Sequence, residues 1–270
     1  MIDFEKLIDE VRMLRNKGLS YSEIARMLEA NGIKVSRVTV MRWCKGLHDP
    51  RNRLNLVRLE PSPELAYIIG VIFGDGSVSF RKSGRSYNYR IRLKVVDKEF
   101  AEEFYECLRS IGLKPSFRLE RDRTRCDRWC VEANGKLLYE FLKQPKEKLF
   151  DVARQFPTEF LRGFFDSEGC VYWNERRKRL LITASNYDLE LLQFVQKLLA
   201  SLNIHSKIYL QAYEGKSVRI RDEYYEYKQD FYRLDIYRLS AVAEFAKSVG
   251  FTIPRKAEKL RDKLRFLGSF

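Results

Sequence analysis

The sequence predicts an α+β fold in which one plan, αββαββα, is used twice behind a small all-α unit. Three observations carry this. An apolar stretch, Leu65 to Gly76 (LAYIIGVIFGDG), returns later as Leu161 to Gly169 (LRGFFDSEG), each with small residues four apart and a carboxylate followed by Gly at its end. After each stretch, runs with apolar residues at every second position alternate with runs of period 3.6, in the same order both times. The first 46 residues hold short helical patterns alone.

Composition narrows the function. At 270 residues the chain can form more than one core. Its 51 Lys and Arg against 37 Asp and Glu give a net charge of +14, which points to a polyanionic partner and first of all to nucleic acid. The longest apolar stretch, around Leu65 to Phe73, is too short to span a bilayer, and the opening residues lack a basic and apolar leader. No membrane partner is expected, and the reading is a cytoplasmic, intracellular protein. Five Cys without framework spacing fit reduced thiols, and Cys126 with Cys130 are badly spaced for a zinc knuckle. Two His leave almost no material for a His-based zinc site or Ser-His catalysis.

In residues 1–46, Phe4, Leu7, Ile8, Val11 and Leu14 mark an amphipathic helix that Gly18 ends. Ser20 with Glu23 is a capping-box pattern opening a second helix, with Ile24, Ala25 and Leu28 inward and Asn31-Gly32 closing it. A third begins near Ser36, with Val38, Val40, Met41 and Trp43 inward and Arg37, Thr39, Arg42 and Lys45 outward. The run GLSYSEIARMLEANGIKVSRVTVMRW resembles a helix-turn-helix domain of the recombinase and resolvase kind, which implies that Ser36, Arg37, Thr39 and Arg42 lie at or near a DNA groove. A three-helix protein-docking domain carries the same pattern. Residues 47–62, with His48, Pro50, Arg51, Arg53, Arg58, Pro61 and Pro63 at or beside them, read as a basic linker that either follows a DNA backbone or is a plain solvated tether.

The first copy of the plan spans 63–156. Ser62 reads as an N-cap, Pro63 as the first helical residue, Glu64 as a first-turn acid and Gly76 as the stop. On a helix, Gly70 and Gly74 share a face, and Gly163 with Ser167 form the matching strip on the second stretch. Packing strip on strip brings Asp75 and Glu168 out side by side at helix C-termini, where partial negative charge disfavours them unless a divalent cation sits between. Few carboxylates and many waters suit Mg²⁺. Next, Ser86 to Val96 alternates, with Tyr87, Tyr89, Ile91, Leu93 and Val95 on one face and Asn88, Arg90, Arg92 and Lys94 on the other, a face suited to DNA. Asp97 to Ile111 reads as a helix on Phe100, Phe104, Leu108 and Ile111; strands follow near Ser116 to Arg123 and Arg128 to Ala133, then Asn134-Gly135 and helix to about Arg154.

The second copy, 157–270, repeats the order. Glu168 precedes a strand near Val171 to Trp173, a basic turn, and a strand through Ser185 with Leu180, Ile182 and Ala184 on one side. A helix from Asp188 to Leu202, strands near Ser206 to Tyr213 and Phe231 to Tyr237, a helix opened by Ser240 and a basic one after Pro254 complete it. Glu214 to Asp230, charged and Tyr-rich, is an excursion between the two strands.

Both motif copies resemble that of the LAGLIDADG homing endonucleases of the monomeric, double-motif kind, over the chain from about Pro61 onward. The resemblance implies two four-stranded sheets, related by a pseudo-two-fold axis, as a saddle over the major groove. It implies metal binding by Asp75 and Glu168 with the adjoining Gly74 and Ser167, the cation being Mg²⁺ with Mn²⁺ or Ca²⁺ as substitutes. It adds a lysine or glutamine near the end of the second strand, for which Lys98 and Lys94 are the nearest candidates, phosphate contact being their other role. DNA would be read by Asn88, Arg90, Arg92, Lys94 and Arg118 in the first half and by Arg179, Thr183, Lys207, Gln211 and Arg233 in the second. The first copy departs by having Phe73 where the second keeps Asp166, a position that is not the metal ligand in this family. The implied activity is a double-strand break with 3′ overhangs at a long asymmetric site, made by a monomer in the mobilisation of an intron or intein; with no splicing module visible, a stand-alone or intron-encoded enzyme is favoured. The alternatives are a helix-turn-helix regulator on the same fold, against which both retained acids argue, and a maturase acting on intron RNA.

Overall fold

The computed structural model describes residues 4–47, 57–84, 86–121, 126–220 and 223–269, and the chain divides into two compact units, Met1–Val57 and Arg58–Phe270. In the first unit α1 (Phe4–Asn16), α2 (Tyr21–Ala30) and α3 (Arg37–Cys44) bury Leu7, Val11, Ile24, Leu28, Val40 and Trp43 against one another. Ser20 Oγ accepts from the Glu23 N–H and Glu23 Oε2 from the Ser20 N–H, so two orphan donors of α2 are satisfied reciprocally. Ser36 caps α3 in one direction only, its Oγ accepting from the Thr39 N–H at 3.1 Å. One expected inward residue turns out: Val38 is 46% exposed, because Val40, Trp43 and Cys44 already fill the inner side of a two-turn helix and Val38 shares the opposite side with Arg42 and Lys45. The expectations for His48, Pro50, Arg51 and Arg53 lie outside the described residues. Arg58, read as linker, belongs to the second unit, where its backbone N–H donates to Ile111 O at 2.9 Å.

The second unit runs α4 (Pro63–Ile72), β1 (Ser77–Ser83), β2 (Ser86–Val95), α5 (Lys98–Ser110), β3 (Ser116–Glu120), β4 (Arg128–Asn134), α6 (Lys136–Leu142) and α7 (Lys146–Gln155). It then repeats as α8 (Pro157–Glu168), β5 (Gly169–Asn174), β6 (Arg179–Asn186), α9 (Leu189–Ser201), β7 (Lys207–Ala212), β10 (Phe231–Ile236), α10 (Leu239–Ser248) and α11 (Pro254–Phe266). The short hairpin of β8 (Ser217–Ile220) and β9 (Glu223–Glu226) stands inside the excursion between β7 and β10. Two antiparallel sheets result, β1-β2-β4-β3 and β5-β6-β10-β7, with the same order of strands in both halves.

Period-two burial orients each sheet. Ile91 and Leu93 of β2 and Leu180, Ile182 and Ala184 of β6 are buried beneath the helices, which leaves Arg90, Arg92 and Lys94 on the first outer face and Thr183 on the second. Phe100, Phe104 and Leu108 of α5 and Leu191, Leu192, Val195 and Leu199 of α9 supply the opposing apolar stripes.

Two boundaries differ from expectation. The helix foreseen up to Arg154 breaks at Gln144-Pro145, since Pro145 has no N–H to continue the ladder. Helix α4 closes at Ile72 with Phe73 as cap, so Gly76 is not its stop; Gly76 instead folds back to donate its N–H to Val71 O at 2.9 Å. No helix among the described residues is long and apolar enough to cross a membrane.

Candidate functional site

The site is set by how closely α4 and α8 approach. A methyl group placed on Gly70 would stand 2.2 Å from Phe160 O, and one on Gly163 would stand 2.4 Å from Tyr67 O. Backbone therefore lies on backbone, which any side chain would prevent. Further along, the same test at Gly74 meets Ser167 Cβ at 2.3 Å and Glu168 Cγ at 3.3 Å, so the strip continues to the acids themselves. Ser167 Oγ turns back to donate to Gly163 O at 3.1 Å.

Asp75 follows the turn after α4 and is open to solvent on one side; Glu168 is the last residue of α8 and is half-buried. Protein around them strips water from both carboxyls and raises both, Asp75 modestly and Glu168 to about 7, the neighbouring Asp75 charge adding to the effect on Glu168. Two acids pushed upward by burial and, at Glu168, by the other's charge form an oxygen-only donor pair. Among the described residues no third His, Cys, Asp or Glu joins them. That donor set fits a hard cation that keeps several of its waters, as Mg²⁺ does, and suits zinc poorly.

The charge of one of the protein's own lysines also acts on the pair. Lys256, on the first turn of α11, is 8% exposed and donates Nζ hydrogens to Asp166 O at 2.7 Å and to Phe165 O at 3.3 Å, the latter a carbonyl that also accepts the Gly169 N–H at the end of α8. Burial lowers its pKa, while its charge pulls both Asp75 and Glu168 down; Arg128 acts on Asp75 in the same sense. Asp166, 1% exposed, accepts from Tyr67 OH of α4 at 3.0 Å and from the Thr252 N–H ahead of α11 at 2.9 Å, which ties α4, α8 and α11 at one buried point. In the first half the matching place is apolar, with Phe73 against Phe150 and Phe160.

Lys256 is the residue that reasoning from sequence missed. Its signal was legible, since it falls in phase with Leu260 and Leu264 on the apolar stripe of α11, where a lysine is out of place. Lys94 and Lys98 are occupied elsewhere: Lys94 pairs with Glu120 at 2.8 Å, and Lys98 with Glu102 at 2.7 Å one turn along α5. Lys256 is brought to the end of α8 by its bonds to Phe165 O and Asp166 O.

The remaining candidates lie on the outer faces. Arg90, Arg92, Lys94 and Arg118 share the first face with two acids not singled out beforehand, Glu120 and Glu132, and Asn88 stands exposed further along β2. On the second face Arg179, Thr183, Lys207 and Arg233 are joined across β5, β6, β10 and β7 by the register Asn174–Arg179, Cys170–Thr183, Thr183–Asp235–Lys207 and Ser185–Arg233–Tyr209, and Gln211, at a break in that register, is joined by the bond its Oε1 accepts from Ser185 Oγ at 3.2 Å. In the separate first unit Arg37 and Arg42 are exposed and Thr39 is half-buried, its hydroxyl 2.9 Å from Ser36 Oγ.

Residues 62–144 and 155–250 each match the family described as a LAGLIDADG-like domain. The chain belongs to that family. An uncharacterised protein of Methanocaldococcus jannaschii is 47% identical over 260 residues, 96% of this chain and 93% of its own length. The alpha subunit of a Bacillus subtilis ribonucleoside-diphosphate reductase is 26% identical over 167 residues, which are 54% of this chain and 15% of that protein. The structure of the homing endonuclease I-DmoI in complex with DNA and Ca superposes with a TM-score of 0.53 at 20% identity, covering 74% of this chain and 97% of that one. The doubled LAGLIDADG-like fold, with a motif helix at the head of each sheet, is thus the architecture of this chain.

Proposed function

We propose that this LAGLIDADG-like chain is a site-specific DNA endonuclease that makes a divalent-metal-dependent double-strand break, leaving 3′ overhangs, at a long asymmetric target. The observation that carries the reading is the meeting of Asp75 and Glu168 at the end of a glycine-lined helix pair, both carboxyls raised and a buried lysine beside them. When bound, Mg²⁺ would supply charge stabilisation for water attack on a phosphodiester and for the leaving oxygen, with Mn²⁺ or Ca²⁺ able to occupy the same place.

The chain's own residues do the rest. Asp75 and Glu168, with the adjoining Gly74 and Ser167, would hold the cation. Lys256 keeps the end of α8 fixed and offsets the charge of the two acids until phosphate arrives. The outer faces bind the major groove, through Asn88, Arg90, Arg92, Lys94 and Arg118 on the first and Arg179, Thr183, Lys207, Gln211 and Arg233 on the second. The first unit acts as a helix-turn-helix domain, with Ser36, Arg37, Thr39 and Arg42 at a second groove. Because one chain carries both halves, the monomer is the active species. The match to a stretch covering 15% of a reductase subunit supports a mobile-element role, since a segment like this one occurs within a protein of unrelated activity.

The test is incubation of the full chain with Mg²⁺ and duplex DNA spanning the junction of its own gene's insertion site. Cleavage by the wild type, lost in Asp75→Asn while binding persists, is the expected result. Wild-type binding without cleavage would make the protein a regulator instead, and preference for folded intron RNA a maturase.

A further inference from the structure

The two sheets share strand order but differ in surface chemistry. On the first, where Arg81 and Arg128 stand in register with Asn88 and Glu120, Arg90, Arg92, Lys94 and Arg118 pair with two carboxylates: Glu120 with Lys94 at 2.8 Å, Arg118 at 2.9 Å and Arg92 at 3.1 Å, and Glu132 with Arg118 at 3.6 Å, Arg90 at 3.8 Å and Arg92 at 4.0 Å. Such cations are poor free phosphate binders, because the carboxylates beside them repel phosphate. A guanidinium next to a carboxylate does match the edge of a G·C pair, whose guanine offers N7 and O6 as acceptors and whose cytosine offers N4–H as donor.

The second face has, among the described residues, three cations, Arg179, Lys207 and Arg233, but its one carboxylate, Asp235, is buried, and rings, an aliphatic side chain, hydroxyls and an amide fill the rest. Tyr172 lies opposite Leu181, and Tyr172 and Tyr209 are 47% and 38% exposed. Ser185 Oγ donates to Gln211 Oε1 at 3.2 Å, and Thr183 stands between Cys170 and Asp235. Arg233 is held by the buried Asp235 at 2.9 Å, while Arg179 and Lys207 stand at the first residues of their strands. Apolar side chains and threonine methyls suit the thymine methyl group, and a glutamine amide suits adenine N6 and N7.

From this contrast we propose that the two halves read DNA of opposite base composition: the first sheet takes a G·C-rich half-site and the second an A·T-rich one, with Glu120 and Glu132 acting as specificity residues. The inference rests on the DNA-cutting reading above and names the kind of target that reading implies.

Selection of bound duplexes from a randomised library, using the full chain in metal-free buffer, tests it. Enriched sites should be G·C-rich on one side and A·T-rich on the other. Glu120→Gln and Arg118→Gln, both polar exchanges at an accessible face, should each relax preference on the G·C side alone by roughly tenfold, and Gln211→Ala should relax the other side alone. Sites of uniform composition, or variants that relax the opposite side, overturn the proposal while leaving the nuclease reading in place. Binding with no sequence enrichment overturns the proposal too; wild-type cleavage at a defined site in the separate Mg²⁺ assay then tells whether the nuclease reading has fallen with it.

Discussion

At Lys256 a single side chain stands at a junction of three helices, and its replacement should separate stability from chemistry. Lys256→Met removes the donor of Asp166 O and the second donor of Phe165 O, which keeps the Gly169 N–H, a loss of about 1–3 kcal/mol in unfolding free energy. Small shifts of Glu168 should then lower the cleavage rate by roughly a hundredfold with DNA affinity little changed, measured by single-turnover kinetics beside a binding titration. Glu168 itself should behave in the opposite way toward stability. Its carboxyl is raised to about 7 by burial and by Asp75, so Glu168→Gln removes an unfavourable charge. The metal-free variant should be more stable by about 1 kcal/mol, after allowing for the solvent on its open side, and inactive. A calorimetric scan showing a lower Tm than wild type would contradict this account of the pair. Glu120 gives the pH dependence: the Lys94 hydrogen bond first, with Arg92, Arg118 and Cys130 also bonding or charging it favourably, holds it at about 2 against an ordinary 4.5. A depressed carboxyl stabilises the fold above 4.5 and loses that contribution as pH falls toward 2. Wild type should therefore lose more stability across that window than Glu120→Gln, and high salt should narrow the difference because the face is open to solvent.

Among the elements, α4 and α8 bear the strictest demand. Gly70→Ala would drive a methyl carbon to 2.2 Å from Phe160 O, where nothing flexible can yield. The helices must part, at a cost of about 3 kcal/mol, and the acids part with them. Urea unfolding should show the lower midpoint, and activity should not return at temperatures where the variant is folded. Gly163→Ala, against Tyr67 O, is its counterpart and should give a similar loss. Helix α3 shows a different kind of constraint: with two turns it can bury Val40, Trp43 and Cys44, and Val38 is left outside with Arg42 and Lys45. A helix of that length has room for one apolar side only.

For the whole molecule, the net charge of +14 is distributed over two compact units. If α3 contributes phosphate contacts, Arg42→Ala should lower the slope of log affinity against log salt by about one and weaken all sequences alike, as read from titrations at several salt concentrations. An unchanged slope would remove the first unit from the DNA-binding surface. Much of this architecture was already written in the order of residues. The four-residue spacings of Gly70 with Gly74 and of Gly163 with Ser167 fixed which helix faces could meet backbone to backbone, and alternation along Tyr87 to Val95 fixed which side of β2 could be buried, because both follow from periods that the backbone imposes on neighbours in sequence. Contacts between distant residues obey no such period. That Glu120 and Glu132 stand among the arginines of β2 depends on how β3 and β4 align beside it, and that Lys256 covers the end of α8 depends on α11 returning across the second half. Local periodicity thus determined the elements and the helix pair at the centre; the charges that surround the two acids and line the first sheet were decided only when long-range packing brought separate strands and helices together.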